Sequence, residues 1–417
     1  MTRLRPEALR TLFACVVGLT LSVVPIFASG TAVLLVPIAK DTSWTRGQVS
    51  ALIAAGLLGI AVGAPIVGWL IQRYGVRRVI LVSSVAFPAT LLCLSYAPMF
   101  GVAVVCGFAA GLVGCGVSQY SYLAILPEYF DRRLGLSLGI AMIGIGLGTA
   151  LVPLVVQSLA HTYGWRGIYR TLAVFIVLVG VPNALLLPDI RVTRRSAPEK
   201  LEAASVSNGM TAAEALRSRI FYQLALCIFL SITVITGLGI HLTAFLTDRG
   251  YSPEQAAGLF SLFGLTLAGA RFAGGFLLDY LDARWIGATF LFGAALGVSF
   301  MATGATGYLL FAGIGLLSAA TGFDGDLLPY ATRSYFGLRS YSTIYGMLGA
   351  AYSLGPPVGS LILGQGFDRL GGYTPLLWGI VGIVTLSALL LLGLGRPNGS
   401  AAQPRVLTRA PDRAGNA

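Results

Sequence analysis

Twelve apolar stretches, each about twenty residues or longer and nearly free of charge, decide what this chain can fold into. They run over roughly 11–38, 47–71, 79–97, 101–126, 134–160, 167–188, 220–246, 255–278, 286–304, 307–331, 342–366 and 373–395. A helix of about 20 apolar residues spans a hydrocarbon core about 30 Å thick. Inside lipid only helices and closed barrels satisfy their own backbone groups, and barrel strands alternate in segments of about 10 residues. Only 11% of the residues are charged, against roughly 25% in soluble domains. The expectation is an all-α polytopic membrane protein with twelve spans in two six-helix bundles. The first run follows Arg3, Arg5 and Arg10 but is far longer than a signal-peptide core, so it is counted as span 1.

Sorting the basic residues tests that count. Of 28 Lys and Arg, 21 fall on the side that holds both ends of the chain and the even-numbered loops. Lys40, Arg46, Arg166, Arg170, Arg249 and Arg369 fall on the other side, and Arg271 lies inside span 8. Positive residues accumulate in cytoplasmic loops, so both termini are expected there, in a cell inner membrane. The formal charge of +12 therefore reads as an orientation signal, with no basic face for nucleic acid. Expected units are an N-terminal bundle over 1–188, a linker over 189–219 with a short surface helix near Thr211–Leu216, a C-terminal bundle over 220–395 and a disordered tail over 396–417. Cys15, Cys93, Cys106, Cys115 and Cys227 all sit in apolar runs without a CxxC pair, which predicts buried thiols rather than disulfides or a metal site.

The halves repeat. At an offset of 207, Trp44-Thr45-Arg46-Gly47-Gln48 falls on Tyr251-Ser252-Pro253-Glu254-Gln255, and Gly68-Trp69-Leu70 falls on Gly275-Phe276-Leu277. Tyr129-Phe130-x-x-Arg133 recurs 206 residues on as Tyr335-Phe336-x-x-Arg339. Matching positions on the same membrane side imply a parallel repeat about an axis along the membrane normal, the plan of a carrier with a midplane site.

The run Gly68-Trp69-Leu70-Ile71-Gln72-Arg73-Tyr74-Gly75-Val76-Arg77-Arg78 resembles the G-x-L-x-D-R-x-G-R-R loop of the major facilitator superfamily. Its second copy runs from Gly275 through Asp279 to Arg284. The resemblance implies a gating role for Gly68, Gln72, Arg73, Arg77, Arg133, Gly275, Asp279 and Arg284, with Arg132 or Arg133 as a partner for Asp279. Gln72 replaces the family's acid and lacks its charge. Trp44-Thr45-Arg46, Pro127-Glu128-Tyr129-Phe130-Asp131-Arg132-Arg133 and Tyr163-Gly164-Trp165-Arg166 are similar to the branch of bacterial monocarboxylate transporters and oxalate/formate antiporters. That branch carries small or aromatic carboxylates, often with a proton. Its eukaryotic members have a lysine in helix 1 and an Asp–Arg pair in helix 8; here Val33 and Leu267 stand at those places beside a retained Arg271.

Arg271 lies about 12 Å of helix rise from Asp279 at the membrane edge, near the midplane. A guanidinium at that depth needs a polar cavity or a partner, and its fork matches a carboxylate. It is expected to bind the substrate anion; the alternative is pairing with an acid of span 10. Asp324 and Asp326 are the acids well inside a span, and one of them is the candidate proton carrier; the alternative is a salt bridge to Arg271 or hydrogen bonding to helix ends. Because they are two residues apart they point about 200° from each other. His241 titrates in the physiological range when free, although a lone histidine is commonly a packing residue. Ser118, Gln119 and Tyr120, Tyr352 and Ser353, and Ser29 and Thr31 offer hydrogen bonds to a cavity or to neighbouring helices. Gly139, Gly144, Gly146 and Gly148 read as close packing, and no Walker motif supports ATP coupling.

The function expected is secondary transport of a small organic anion, a monocarboxylate, by alternating access, with a coupled proton as a further expectation. A carrier or exporter of a larger aromatic, vitamin-like or drug-like solute is the alternative, and a non-transporting membrane sensor the remote one. An enzyme is not expected, since no nucleophile, base or metal cluster converges, and neither is a cofactor. A monomer in the bilayer is expected, with a small-molecule anion as its ligand.

Overall fold

The computed structural model describes residues 6–130, 134–188, 209–278, 282–337 and 339–395. Twelve helices among these residues are long and apolar enough to cross a membrane. They are α1 (Pro6–Thr42), α2 (Arg46–Tyr74), α3 (Val76–Ser95), α4 (Phe100–Tyr122), α5 (Ser137–Ala160), α6 (Thr162–Leu186), α7 (Arg219–Asp248), α8 (Pro253–Leu278), α9 (Ala283–Ala302), α10 (Tyr308–Phe336), α11 (Tyr341–Leu370) and α12 (Thr374–Leu392). The face of the bundle that carries the α6–α7 linker is called the linker face below, and the other the far face.

The repeat is built into the packing. In the first half α1 packs on α5 and α6, α2 on α4, and α3 on α6; in the second α7 packs on α11, α8 on α10, and α9 on α12. It extends to local chemistry. Thr45 caps α2 by accepting from Gln48 N, while the Gln48 side chain accepts from Thr45 N at 2.9 Å. Ser252 and Gln255 make the same reciprocal pair at the start of α8, at 3.0 and 3.2 Å. Such capping boxes satisfy amide groups that a helix start leaves free.

Two spans are not the continuous helices expected of them. α1 loses regular α geometry after Thr20 and passes through a π-turn over Val24–Ser29. Pro25 lies in that segment without an N–H to donate, and Ser22 turns its hydroxyl back on Leu19 O at 2.7 Å. α4 tightens into a 3-10 turn at Cys115–Val117, becomes extended at Ser118 and ends at Tyr122, short of residue 126. Beyond it Leu126–Glu128 forms a separate 3-10 turn containing Pro127. α10 runs on to Phe336, past residue 331.

Near the linker, Ala212–Arg217 forms the short helix expected there, with a Thr211–Glu214 capping box. The Thr211 backbone and hydroxyl bonds hold the Glu214 carboxyl below its usual range. Met210 N donates to Phe336 O at 2.8 Å, tying the linker's end to α10. Residues 189–208 and the tail from 396 lie outside the described residues. Cys15, Cys115 and Cys227 are buried, but Cys93 is exposed and Cys106 half-buried. The prediction of five buried thiols fails at these two because an apolar run fills the outer face of a membrane helix as well as its packed face.

Candidate functional site

The two bundles touch along α2–α11 and α5–α8, contacts related by the repeat. The bonds that join them lie in the far half. Gly47 N donates to Asp368 Oδ2 at 2.9 Å, and Ser360 donates to Ser50 O at 3.0 Å. Arg46 grips Asp248 through both carboxylate oxygens, at 2.5 and 2.6 Å, and its guanidinium lies 4.1 Å from the Phe367 ring centre. On the other pair Ser261 donates to Ala150 O at 2.6 Å. Towards the linker face a Cβ built on Gly68 of α2, on Gly346 or Gly349 of α11, or on Gly139 of α5 meets nothing within 4 Å.

A cavity of about 210 Å³ lies between the bundles. The broken helices supply much of its N-terminal wall, through Ser22, Val24, Ala28, Ser29 and Ala32 of α1 and Ser118, Gln119 and Tyr120 of α4. The C-terminal bundle adds Thr236, Gly239 and Ile240 of α7, Phe260, Phe263, Leu267 and Arg271 of α8, Thr321 of α10, and Tyr352, Ser353 and Pro356 of α11. Arg271 is the one charged residue among the described lining residues.

Its surroundings explain how an arginine survives there. Gly325 of α10 leaves room beside it: a Cβ at that position would lie 3.6 Å from both Arg271 Nη2 and the Tyr352 hydroxyl oxygen. Arg271 Nε is buried without a hydrogen-bond partner, and among the described residues the guanidinium forms no ion pair. A buried charged donor left unpaired is costly. A planar fork at the wall of a cavity has the geometry to take a carboxylate.

Of the other residues singled out, Tyr120, Gln119, Ser118, Ser29, Tyr352 and Ser353 join Arg271 on the cavity wall, with Tyr120 interacting across the bundles with Ser353. Thr31 and His241 are placed elsewhere. Thr31 is fully buried against α6, 2.7 Å from the Tyr169 hydroxyl. His241 is fully buried in the far-face seal, with Nδ1 2.9 Å from the Tyr373 hydroxyl and Nε2 3.0 Å from Ser50 Oγ and 3.3 Å from Ser360 O. Ser50 donates its hydroxyl proton to Arg46 O and Ser360 O can only accept, so Nε2–H donates, and the ring latches α2, α7 and α11 together.

Asp324 sits beside the cavity rather than on its wall, 3% exposed, with Ser231 Oγ 3.3 and 3.4 Å from its carboxylate oxygens and no ion pair among the described residues. The side chain of Asp326 lies outside the described residues, as do Asp279 and Arg133. At the linker face Gln72 is exposed, and Arg73 stays on its own helix over Trp69 and Tyr74 at 5.5 and 5.6 Å. Arg77 is half-buried, and Arg284 pairs with Asp282 at 2.9 Å and donates to Leu394 O at 2.8 Å. Gly275 lies within α8.

Sequence reasoning did not find Asp248, Asp368 and Tyr373 of the seal, or the apolar end of the cavity. The one signal was Arg46 in the Trp44-Thr45-Arg46 run, where the second copy has Pro253. Two six-helix bundles enclosing a cavity and bonded together on its far side define a membrane carrier. The chain belongs to the Major Facilitator Superfamily, whose sequence profile matches residues 16–359, and it is a transporter rather than an enzyme. It is 28% identical over 352 residues to monocarboxylate transporter 11 of Homo sapiens, covering 80% of this chain and 67% of that one. It is 26% identical over 399 residues to the 3-(3-hydroxy-phenyl)propionate transporter of Escherichia coli strain K12, covering 92% and 90%. In fold it is similar to an inward-facing, unoccupied bacterial homologue of the human lysosomal transporter Spinster, with a TM-score of 0.68 at 18% identity over 93% of this chain and 95% of that one.

Proposed function

We propose that this transporter moves a small organic anion, a monocarboxylate, across the inner membrane as a secondary active carrier, with both termini in the cytoplasm. The observation that carries the reading is Arg271, half-buried with an Nε that is buried and lacks a hydrogen-bond partner, and the one charged residue among the described cavity-lining residues. The carboxylate chemistry in the names of both relatives supports it. The far-face seal closes the cavity on one side, and parting it while the linker face closes gives alternating access. On this reading the Gly68–Arg77 loop and its repeat make the linker-face gate.

A ligand that binds only the folded protein stabilises it by about 2.7 kcal/mol at 100 times its Kd. Purified protein should therefore melt several degrees higher with a saturating monocarboxylate, and Arg271→Gln should show no such shift. A shift with neutral or cationic solutes alone removes the anion reading. It would favour the larger vitamin-like or drug-like solute that the apolar lining also suits. A carboxylate shift without flux into vesicles would leave a sensor.

Asp324 is the proposed proton carrier, because a carboxylate within the hydrocarbon span needs a proton or a partner and its partner among the described residues is the Ser231 hydroxyl. Asp324→Asn should keep exchange of substrate for substrate but lose most of the acceleration that an inward proton gradient gives. Unchanged gradient-driven uptake in this variant would remove the role.

A further inference from the structure

At the offset of 207 that relates the halves, the far-face corners repeat residue by residue, but the two copies are wired differently. Asp41 falls on Asp248, Ser43 on Gly250, Gly164 on Gly371 and Arg166 on Tyr373. The backbone keeps its shape: Ser43 and Gly250 turn at φ 57 and 87, Gly164 and Gly371 at φ 59 and 70. In the first copy the acid is clasped inside its own bundle. Asp41 Oδ2, at the end of α1, accepts from Trp165 Nε1 at 2.8 Å and from Arg166 Nη1 at 2.6 Å, both at the start of α6. The Arg166 guanidinium lies 4.2 Å from the Trp165 ring centre. In the second copy Tyr373 has no cation to offer Asp248. Arg46 of the other bundle supplies it, gripping Asp248 and donating to the Tyr373 hydroxyl at 3.4 Å. Pro253 stands where a second Arg46 would be, so the wiring runs one way only.

We propose that Asp41, Trp165 and Arg166 are positioning residues of the far-face gate: they pin the α1–α2 corner to α6, so that Arg46 is presented to Asp248 as part of a rigid bundle. This rests on the far-face seal being a gate, as read above. Three residues join α1 to α2. The first, Ser43, is the one non-glycine among the described residues held at positive φ, a conformation that persists only where its surroundings impose it. Trp44 packs edge-on against Phe100 of α4, with ring centres 5.6 Å apart, and Thr45 caps α2. Asp41, two residues before Ser43, is the fixture on the α1 side. Without its clasp the corner swings on that turn and Arg46 loses its aim. A two-oxygen grip on Asp248 beside the Phe367 ring tolerates little of that, because it needs the guanidinium in one plane. The runs Trp44-Thr45-Arg46 and Gly164-Trp165-Arg166, far apart in sequence, are thus two parts of one device.

The test is labelling of Ala28→Cys, on the cavity wall, by an impermeant thiol reagent added at the far face of sealed vesicles, with the native cysteines replaced. Arg166→Gln should raise the labelling rate at least about fivefold by biasing the gate towards opening. Trp165→Phe, which keeps a ring but removes the N–H, should act in the same direction. The side chains of Arg166 and Asp41 are 40% and 53% exposed, so Arg166→Gln should melt within about 2 °C of the wild type. Arg166→Lys keeps the charge and should restore most of the protection. Thr31→Val is the control: it cuts another α1–α6 bond, the 2.7 Å one to Tyr169, and should leave labelling unchanged. Wild-type protection in both Arg166→Gln and Trp165→Phe overturns the proposal. So does equal labelling in Thr31→Val, which would mark a general loosening of α1. Gly264→Leu, whose added side chain wedges α8 from α5, separates this proposal from the one it rests on. If that variant too leaves residue 28 protected, it is the gate itself that falls.

Discussion

Uptake of a monocarboxylate into proteoliposomes is expected to fall at least about 100-fold when Arg271 becomes glutamine. Two charge-assisted hydrogen bonds, each contributing about 1.5–3 kcal/mol, are lost together, and 3 kcal/mol corresponds to more than 100-fold in affinity. Arg271→Lys keeps the charge but not the planar fork, so an intermediate fall is expected. Stability without substrate separates this role from a structural one. Because Nε is buried and unpaired, replacing the guanidinium by a neutral amide removes a desolvation penalty, and the glutamine variant should melt at or above the wild-type temperature. If Arg271 were held in a buried ion pair, the same change would lower the melting temperature markedly. Wild-type uptake by Arg271→Gln would end the anion-site account.

Gly264→Leu is expected to open the far face. A Cβ on Gly264 of α8 would lie 2.5 Å from Ala150 N and 2.8 Å from Ala150 Cα of α5, both backbone atoms that cannot rotate away. The helices must part, and the 2.6 Å bond from Ser261 to Ala150 O, one turn along, is lost with them. Overpacking of this kind costs about 1–3 kcal/mol or more, which falls on the sealed conformation alone. The readout is labelling of Ala28→Cys, on the cavity wall, by an impermeant thiol reagent in a background freed of the native cysteines. In the wild-type seal the reagent should reach residue 28 from the linker face only. With Gly264→Leu it should also react from the far face, and transport should fall at least about tenfold. Labelling confined to the linker face in the variant would show that α5–α8 is not a gate.

The features legible in the sequence were those set by local chemistry or by solvent. Twelve spans follow from the thickness of hydrocarbon, and the position of Arg271 follows from the cost of a charge within it. The repeat could be read at Thr45-Gln48 and Ser252-Gln255 because a capping box needs residues only three apart. The seal could not, because its bonds join Arg46 to Asp248 and Gly47 to Asp368, 202 and 321 residues away in the chain. His241 shows the same limit: its chemistry allowed a role at the substrate, while its partners Ser50 and Tyr373 place it in the seal. The breaks in α1 and α4 were hidden for another reason. Pro25 and Gly116 lie in runs as apolar as any unbroken span, and a membrane helix tolerates both, with the Ser22 and Ser118 hydroxyls turned back onto carbonyls of the preceding turn.

The most direct test of the account is counterflow. Proteoliposomes loaded with unlabelled 3-phenylpropionate are diluted into a trace of the labelled acid, with no ion gradient imposed. A carrier that alternates around Arg271 should accumulate label transiently above equilibrium, and Arg271→Gln vesicles should not. Passive equilibration at the same rate in wild-type, Arg271→Gln and protein-free vesicles, from a preparation that does bind the acid, would contradict alternating access of an anion at this site.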